Sequence, residues 1–192
     1  MQPLTTARLK ALAFQPGEVP EVHEPLTVQE PEPEDSGRSF PPPSDPACRP
    51  LPDVRNGKGS AAHVFQHFNW KKNLMGGSST LASYAEGEAA RIFAELERAL
   101  ATCRSYEGEG WVGPYTVRVR TETAPRVGDE AVAYRETDPS GPEGDRHNQQ
   151  YVVVRTGNTI ATFSELSTGE DLSFPTELIS RQVERLRNAQ RP

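Results

Sequence analysis

Apolar positions along this chain alternate between two periods. From Glu86 to Cys103 the residues Ala89, Ile92, Phe93, Leu96, Leu100 and Cys103 recur at helical spacing, which predicts an amphipathic helix with the thiol on its buried edge. A second stripe, Leu178, Ile179, Val183 and Leu186, predicts a final helix starting at Pro175, a residue favoured at the first helical position. Its Arg181, Arg185 and Arg187 lie toward the C-terminal end, where the helix dipole favours cations. A shorter helix over Thr5–Phe14 carries Leu4, Leu9 and Leu12 and is stopped by Pro16-Gly17.

Elsewhere the period is two. Tyr115–Arg120 and Ala131–Tyr134 alternate as half-buried strands do, with a turn over Val127–Glu130 between them. Ala62–Trp70 places large apolar residues on both faces, predicting a strand buried on two sides; Ser78–Tyr84 follows as a second strand, and Val19–Val22 can start an edge strand. Tyr151–Arg155 and Ile160–Phe163 flank Gly157-Asn158, which suits a two-residue primed turn with positive φ at glycine. Val152, Val153 and Val154 are continuously apolar, so this hairpin is expected inside the sheet. Asp138–Asp145 carries turn residues and no apolar one. The elements add up to an α+β fold, an antiparallel sheet flanked by helices with a proline-rich N-terminal extension. The expected organisation is an N-terminal helix and edge segment over 1–23, a Pro/Glu-rich tether or long loop over 24–60, and an α+β domain over 61–192.

Composition sharpens this division. Mean hydropathy is −0.67, so part of the chain is expected to pack little. Twelve of the 18 prolines lie at or before Pro52, which places that part upstream. Glu30–Gly37 is acidic and nearly free of apolar residues, and buries too little to offset its ordering entropy. A net charge of −6 and the lack of a basic stripe with interleaved aromatics argue against a nucleic-acid surface. No apolar run reaches the roughly 20 residues that span a bilayer. Gln2–Thr6 has neither the basic nor the apolar region of a signal peptide, so the expectation is a cytoplasmic chain or one whose export signal is absent from it.

Few residues suggest chemistry. His63 and His67 share a face, but on a strand they sit roughly 13 Å apart, too far to hold one zinc ion. His23 and His147 have no carboxylate or cysteine at ligand spacing. The glycine-bearing stretches Gly76–Ser79 and Gly108–Trp111 lack phosphate-loop spacing, and no Gly-x-Ser-x-Gly elbow is present. Asp129 and Glu130 follow a glycine at a turn, which explains them as well as an acid pair does. Trp70, Trp111, Tyr115 and Tyr134 are candidates to line a groove beside the sheet; aromatic residues in half-buried strands also serve simply as core. No catalytic residue, metal or cofactor is expected.

Cys48 and Cys103 are the two cysteines of the chain. They either stay as buried thiols or pair. Cys48 lies in Asp-Pro-Ala-Cys-Arg-Pro, a loop that would not hold itself against a core unaided, and a cross-link there would stabilise the fold by roughly 3–4 kcal/mol. Such a bond persists outside the reducing cytoplasm. The disulfide and export are therefore the expected pair.

Several motifs together carry a resemblance: Leu-Ala-Ser-Tyr at 81–84, Ala-Leu-Ala-Thr-Cys at 99–103, Val-Gly-Asp-Glu-Ala-Val-Ala-Tyr at 127–134, Tyr-Val-Val-Val-Arg-Thr-Gly-Asn at 151–158 and Ile-Ser-Arg-Gln-Val-Glu-Arg-Leu at 179–186. The set, with Leu-Thr-Thr-Ala-Arg-Leu-Lys-Ala-Leu at 4–12, resembles the PknH-like extracellular sensor domains of actinobacteria, especially the secreted lipoproteins of streptomycetes. The resemblance implies an antiparallel sheet with flanking helices, export, and a cleft for an unidentified ligand, with no catalytic residues. The lipoprotein signal and its acylated cysteine are absent from this chain, and the kinase members carry more cysteines.

The expected function is a non-enzymatic, extracytoplasmic binding module for an unknown small-molecule or protein ligand. Membrane contact would come only through a lipid anchor absent from this chain. Two alternatives stand beside it. One is a hydrolase assembled from dispersed residues such as His67, Asp129 and Glu130. The other is a protein-partner or inhibitor module, marked by an exposed apolar patch.

Overall fold

Tyr151–Val154 is buried along its whole length, as a continuous apolar run requires. It lies mid-sheet in a computed structural model that describes residues 2–30, 41–110, 113–138 and 147–191. The strands are β1 (Val28–Gln29), β2 (Ala62–Phe68), β3 (Gly77–Ser83), β4 (Ser105–Gly110), β5 (Gly113–Glu122), β6 (Glu130–Thr137), β7 (His147–Thr156) and β8 (Thr159–Thr168). They form one antiparallel sheet in the order β1-β2-β3-β8-β7-β6-β5-β4. The helices are α1 (Thr6–Leu12), α2 (Pro50–Arg55), α3 (Glu88–Thr102) and α4 (Thr176–Ala189).

β7 and β8 meet at Gly157-Asn158, where Thr156 pairs with Thr159. Gly157 has φ 56° and, among the described residues, no non-glycine residue has positive φ, so the turn has the sign pattern of type II′. Val153 and Ile160 are both buried.

Alternation along the strands sorts the core into two clusters. On one face Phe68, Leu81, Val152, Val154 and Phe163 pack against Leu9 of α1 and Leu178, Ile179, Val183 and Leu186 of α4. On the other, Ala82, Tyr134, Tyr151, Val153 and Ile160 pack with Phe93, Leu96 and Leu100 of α3 and with Leu51 and Val54 of α2. We call these the α1/α4 face and the α2/α3 face. The architecture is an α+β sandwich, helices on both sides of an antiparallel sheet. α3 carries the chain from mid-sheet β3 to the far edge strand β4.

Cys48 and Cys103 are joined, with an S–S distance of 2.03 Å and Cα atoms 5.1 Å apart. Cys48 ends a single 3-10 turn, Pro46–Cys48, capped by the Asp45 side chain, which accepts from the Ala47 N–H at 2.9 Å. The bond ties the turn before α2 to the end of α3.

Three expectations are corrected. Val19–Val22 makes one isolated bridge, Val22 to Trp70, rather than an edge strand. β2 is buried on one face alone: Val64, Gln66 and Phe68 are buried, Phe65 is half-buried and His67 is exposed. The span 24–60 is not all tether. Leu26 is buried, β1 adds to β2, and α2 sets Leu51 and Val54 into the core. Hydrophobic burial and the disulfide order what proline content suggested was loose. Much of Glu30–Gly37 and of the Asp138–Asp145 loop lies outside the described residues.

Candidate functional site

On the α2/α3 face the cover stops partway. α3 lies over Ala82, Tyr84 and Ile160. Further along the same two strands and the same face, β3 presents Ser78 and Thr80, and β8 presents Thr162 and Ser164. These residues floor an open cleft of about 670 Å³. Pro52, Asp53 and Arg55 of α2 and the capping Asn56 form one wall, and Pro41–Pro43, Tyr115, Met75 and Gly76 complete the lining. A cavity of this size is in the range that takes a small ligand.

The registers order the floor. His67 pairs with Ser78 and Phe65 with Thr80; Ser78 pairs with Ser164 and Thr80 with Thr162; Ser164 pairs with Tyr151. One row therefore runs His67, Ser78, Ser164, Tyr151, and the next runs Phe65, Thr80, Thr162. Four strands at about 4.8 Å spacing make the long row roughly 14 Å. The Ser78 and Ser164 hydroxyls are 2.7 Å apart, and Gln149 Nε2 donates to Ser164 Oγ at 3.3 Å. His67 is exposed at the cleft, but the walls around its ring remove part of its water and lower its pKa, which favours the neutral form near pH 7.

Beneath the α2 wall is a buried polar cluster. Arg55 Nη1 donates to Glu136 Oε2 at 2.5 Å and Nη2 to Tyr106 Oη at 3.2 Å, while Tyr106 Oη donates to Glu136 Oε1 at 2.8 Å. The guanidinium stacks 4.5 Å over the Tyr151 ring, which in turn stacks on Tyr134 at 5.1 Å. Burial is the strongest influence and works against the charge on Arg55, but the Glu136 carboxylate and the Tyr151, Tyr134 and Tyr106 side chains together outweigh it and raise the guanidinium pKa. Burial pushes the Tyr106, Tyr134 and Tyr151 phenols up, keeping all three neutral. The cluster locks α2 in place as a wall.

The four aromatic residues expected to share a groove are not brought together. Tyr115 lines the cleft, its ring lying over Gly108. Tyr134 is fully buried under Tyr151. Trp70 is on the α1/α4 face, stacked on Phe68 at 5.2 Å and donating from Nε1 to Glu165 Oε2 at 2.6 Å. Trp111 lies outside the described residues. The dispersed set does not converge either: His67 is in the cleft, whereas Asp129 and Glu130 sit beside the β7–β8 turn and pair with Arg155. His63 is turned to Ser60 Oγ at 3.1 Å. Among the described residues no group of three His, Cys, Asp or Glu side chains is placed to hold a metal. The residues missed in sequence are Arg55, Phe65, Ser78, Thr80, Thr162 and Ser164. For the four hydroxyl residues the signal was present, as a switch from apolar to hydroxyl side chains on one face of β3 and β8; Arg55 and Phe65 carried none.

No family model matches the chain, and no curated protein matches it in sequence. In fold it is similar to the extracellular domain of PknH from Mycobacterium tuberculosis, with a TM-score of 0.66 and 11% sequence identity, over 97% of this chain and 98% of that one. At that identity the likeness is one of fold.

Proposed function

We propose that the protein is an extracytoplasmic binding module of the sensor-domain type, which receives its ligand in the cleft on the α2/α3 face, and that it acts without chemistry of its own. The observation carrying this reading is the cleft itself: an open sheet face floored by small polar and aromatic side chains, with a wall fixed by a disulfide and a buried ion pair. The disulfide suits an oxidising compartment, and the kinase extracellular domain with the same fold supports the placement. No helix of the described residues is long and apolar enough to cross a membrane. A lipid-anchored, secreted form in an actinobacterial envelope accords with the sequence resemblance.

Native mass spectrometry of the protein recovered from its producer tests the reading. A bound mass, lost on denaturation and reduced in a Thr80→Val/Thr162→Val protein, is the expected result. A bound mass that the cleft variant retains undiminished would overturn the cleft as the site. Recovery chiefly from the cytoplasm with two free thiols would overturn the compartment.

A further inference from the structure

The side chains of the cleft floor narrow the class of ligand, and this step rests on the cleft being the binding site. We propose that the cleft takes a neutral saccharide, one or two sugar rings lying across the strands.

The first argument is charge. Among the described residues, the ionised groups beside the floor are already answered, and the one left over is an anion at the rim. Arg55 is paired with Glu136 at 2.5 Å, Asp53 with Lys58 at 3.0 Å, and Glu109 lies exposed at the rim. Among the described residues no unpaired cation faces the floor to receive a phosphate or carboxylate, and burying an uncompensated charge there would be costly.

The second is the kind of polar group. Ser78, Thr80, Thr162 and Ser164 are hydroxyls, each able to donate and accept, and Gln149 adds an amide. Among the described residues, the hydroxyls of Thr80 and Thr162 and the Gln149 Oε1 have no hydrogen-bond partner of their own. A sugar presents the same dual-natured hydroxyls at close spacing. An acyl chain would leave this floor unsatisfied.

The third is the distribution of rings. Phe65 and His67 stand at one end of the two rows and Tyr115 nearby at the rim, whereas the Tyr151 ring is already taken up by Arg55 and Tyr134. Aromatic faces pack against the C–H faces of a sugar ring while the hydroxyl rows take its oxygens. A peptide is a poorer occupant. The cleft is on a sheet face, where backbone groups are already paired in the ladders, and strand addition requires a free edge.

The test uses the whole chain, isotopically labelled, titrated with uncharged trisaccharides of glucose, mannose and N-acetylglucosamine, beside trigalacturonate and a blocked tetrapeptide. The expected result is amide shifts clustered at residues 65, 67, 78, 80, 162 and 164 with at least one neutral sugar. Affinity should then fall about tenfold in Thr80→Val/Thr162→Val, as loss of one or two net hydrogen bonds implies. These isosteric changes keep β-branched residues in the strands, and retained spectral dispersion verifies the fold. Tyr115→Ala, on another strand, should weaken binding independently. Shifts at these residues with trigalacturonate or the tetrapeptide but no neutral sugar would overturn the saccharide class and leave the cleft as the site. No shift there with any neutral sugar would also overturn the class, while the native mass measurement decides separately whether the cleft binds at all.

Discussion

One face of β3 and β8 is two surfaces. Near Ser83 and Thr159 it carries Ala82, Tyr84 and Ile160 and disappears under α3. Two residues further along each strand it carries Thr80 and Thr162, then Ser78 and Ser164, and opens into the cleft. Backbone and pairing are the same in both halves. The side chains differ, because a surface sealed by a helix gains by excluding water from apolar area, whereas the floor of a cleft stays small and polar even where, as at Thr80, Thr162 and Ser164, the cleft walls leave it little exposed. The covered half holds the protein together and the open half is free for binding.

That contrast can be broken first at its hinge. Cys48→Ser/Cys103→Ser removes a link across 55 residues, and the chain-entropy model gives a loss of roughly 4 kcal/mol. Denaturant titration should show that loss, and hydrogen exchange should rise in α2 before it rises in β7 and β8. Uniform exchange changes would show that the disulfide does not act mainly on the cleft wall.

Next, the two halves should differ in their tolerance of truncation. Phe93→Ala, in the fully buried cluster under α3, should cost about 3–4 kcal/mol. Phe65→Ala, on the half-buried cleft floor, should cost about 1 kcal/mol. Equal losses in chemical denaturation would erase the distinction between the halves.

Arg55 joins them. Arg55→Ala leaves Glu136 buried without its cation, and the expected cost is about 3 kcal/mol, the lower end for a broken buried pair because the Arg55 head keeps some exposure. Arg55→Ala/Glu136→Gln should recover part of it, read as the coupling in a double-mutant cycle.

A smaller effect sharpens the open half. A Cβ at Gly108 would come 2.5 Å from Tyr115 Cζ, the far end of a side chain that can swing away. Gly108→Ala should therefore change stability by about 0.5 kcal/mol or less and yet move the Tyr115 ring resonances. Unchanged resonances would place that ring elsewhere.

The smallest effect lies on the opposite face. Burial raises the Glu165 pKa from its ordinary 4.5, outweighing the hydrogen bonds from Asn73 and Trp70 that favour the carboxylate. Its folded pKa is the higher one, so its contribution is fully present below about pH 4.5 and is lost as pH rises through the raised value. Glu165→Gln keeps an acceptor for Trp70 and should flatten the stability profile in that window. A profile that keeps its slope would assign the titration to another group.

Local pattern decided much of this protein. The stripes at Ala89–Leu100 and Leu178–Leu186 are the buried faces of α3 and α4, because a helix that leaves such a stripe in water is not stable. Val152–Val154 and Gly157 specified a central hairpin, since only cover on both sides suits that run and only glycine readily takes the turn. The pairing of Cys48 with Cys103 followed from two cysteines and a loop needing an anchor. What local pattern did not decide depends on which distant segment arrives. Ala62–Trp70 has apolar residues on both sides, and periodicity does not tell whether the second side meets a helix or a cleft; α2 and the end of α3 settle that from elsewhere in the chain. Trp70, Tyr115 and Tyr134 look alike in sequence, yet strand alternation and sheet order send Trp70 to one face and Tyr134 to the other, with only Tyr115 at the cleft. Segments about Cys48 and Arg55 read as tether because their local burial is slight, and it took the bond to Cys103 and the ion pair to Glu136, 81 residues away, to make them a wall.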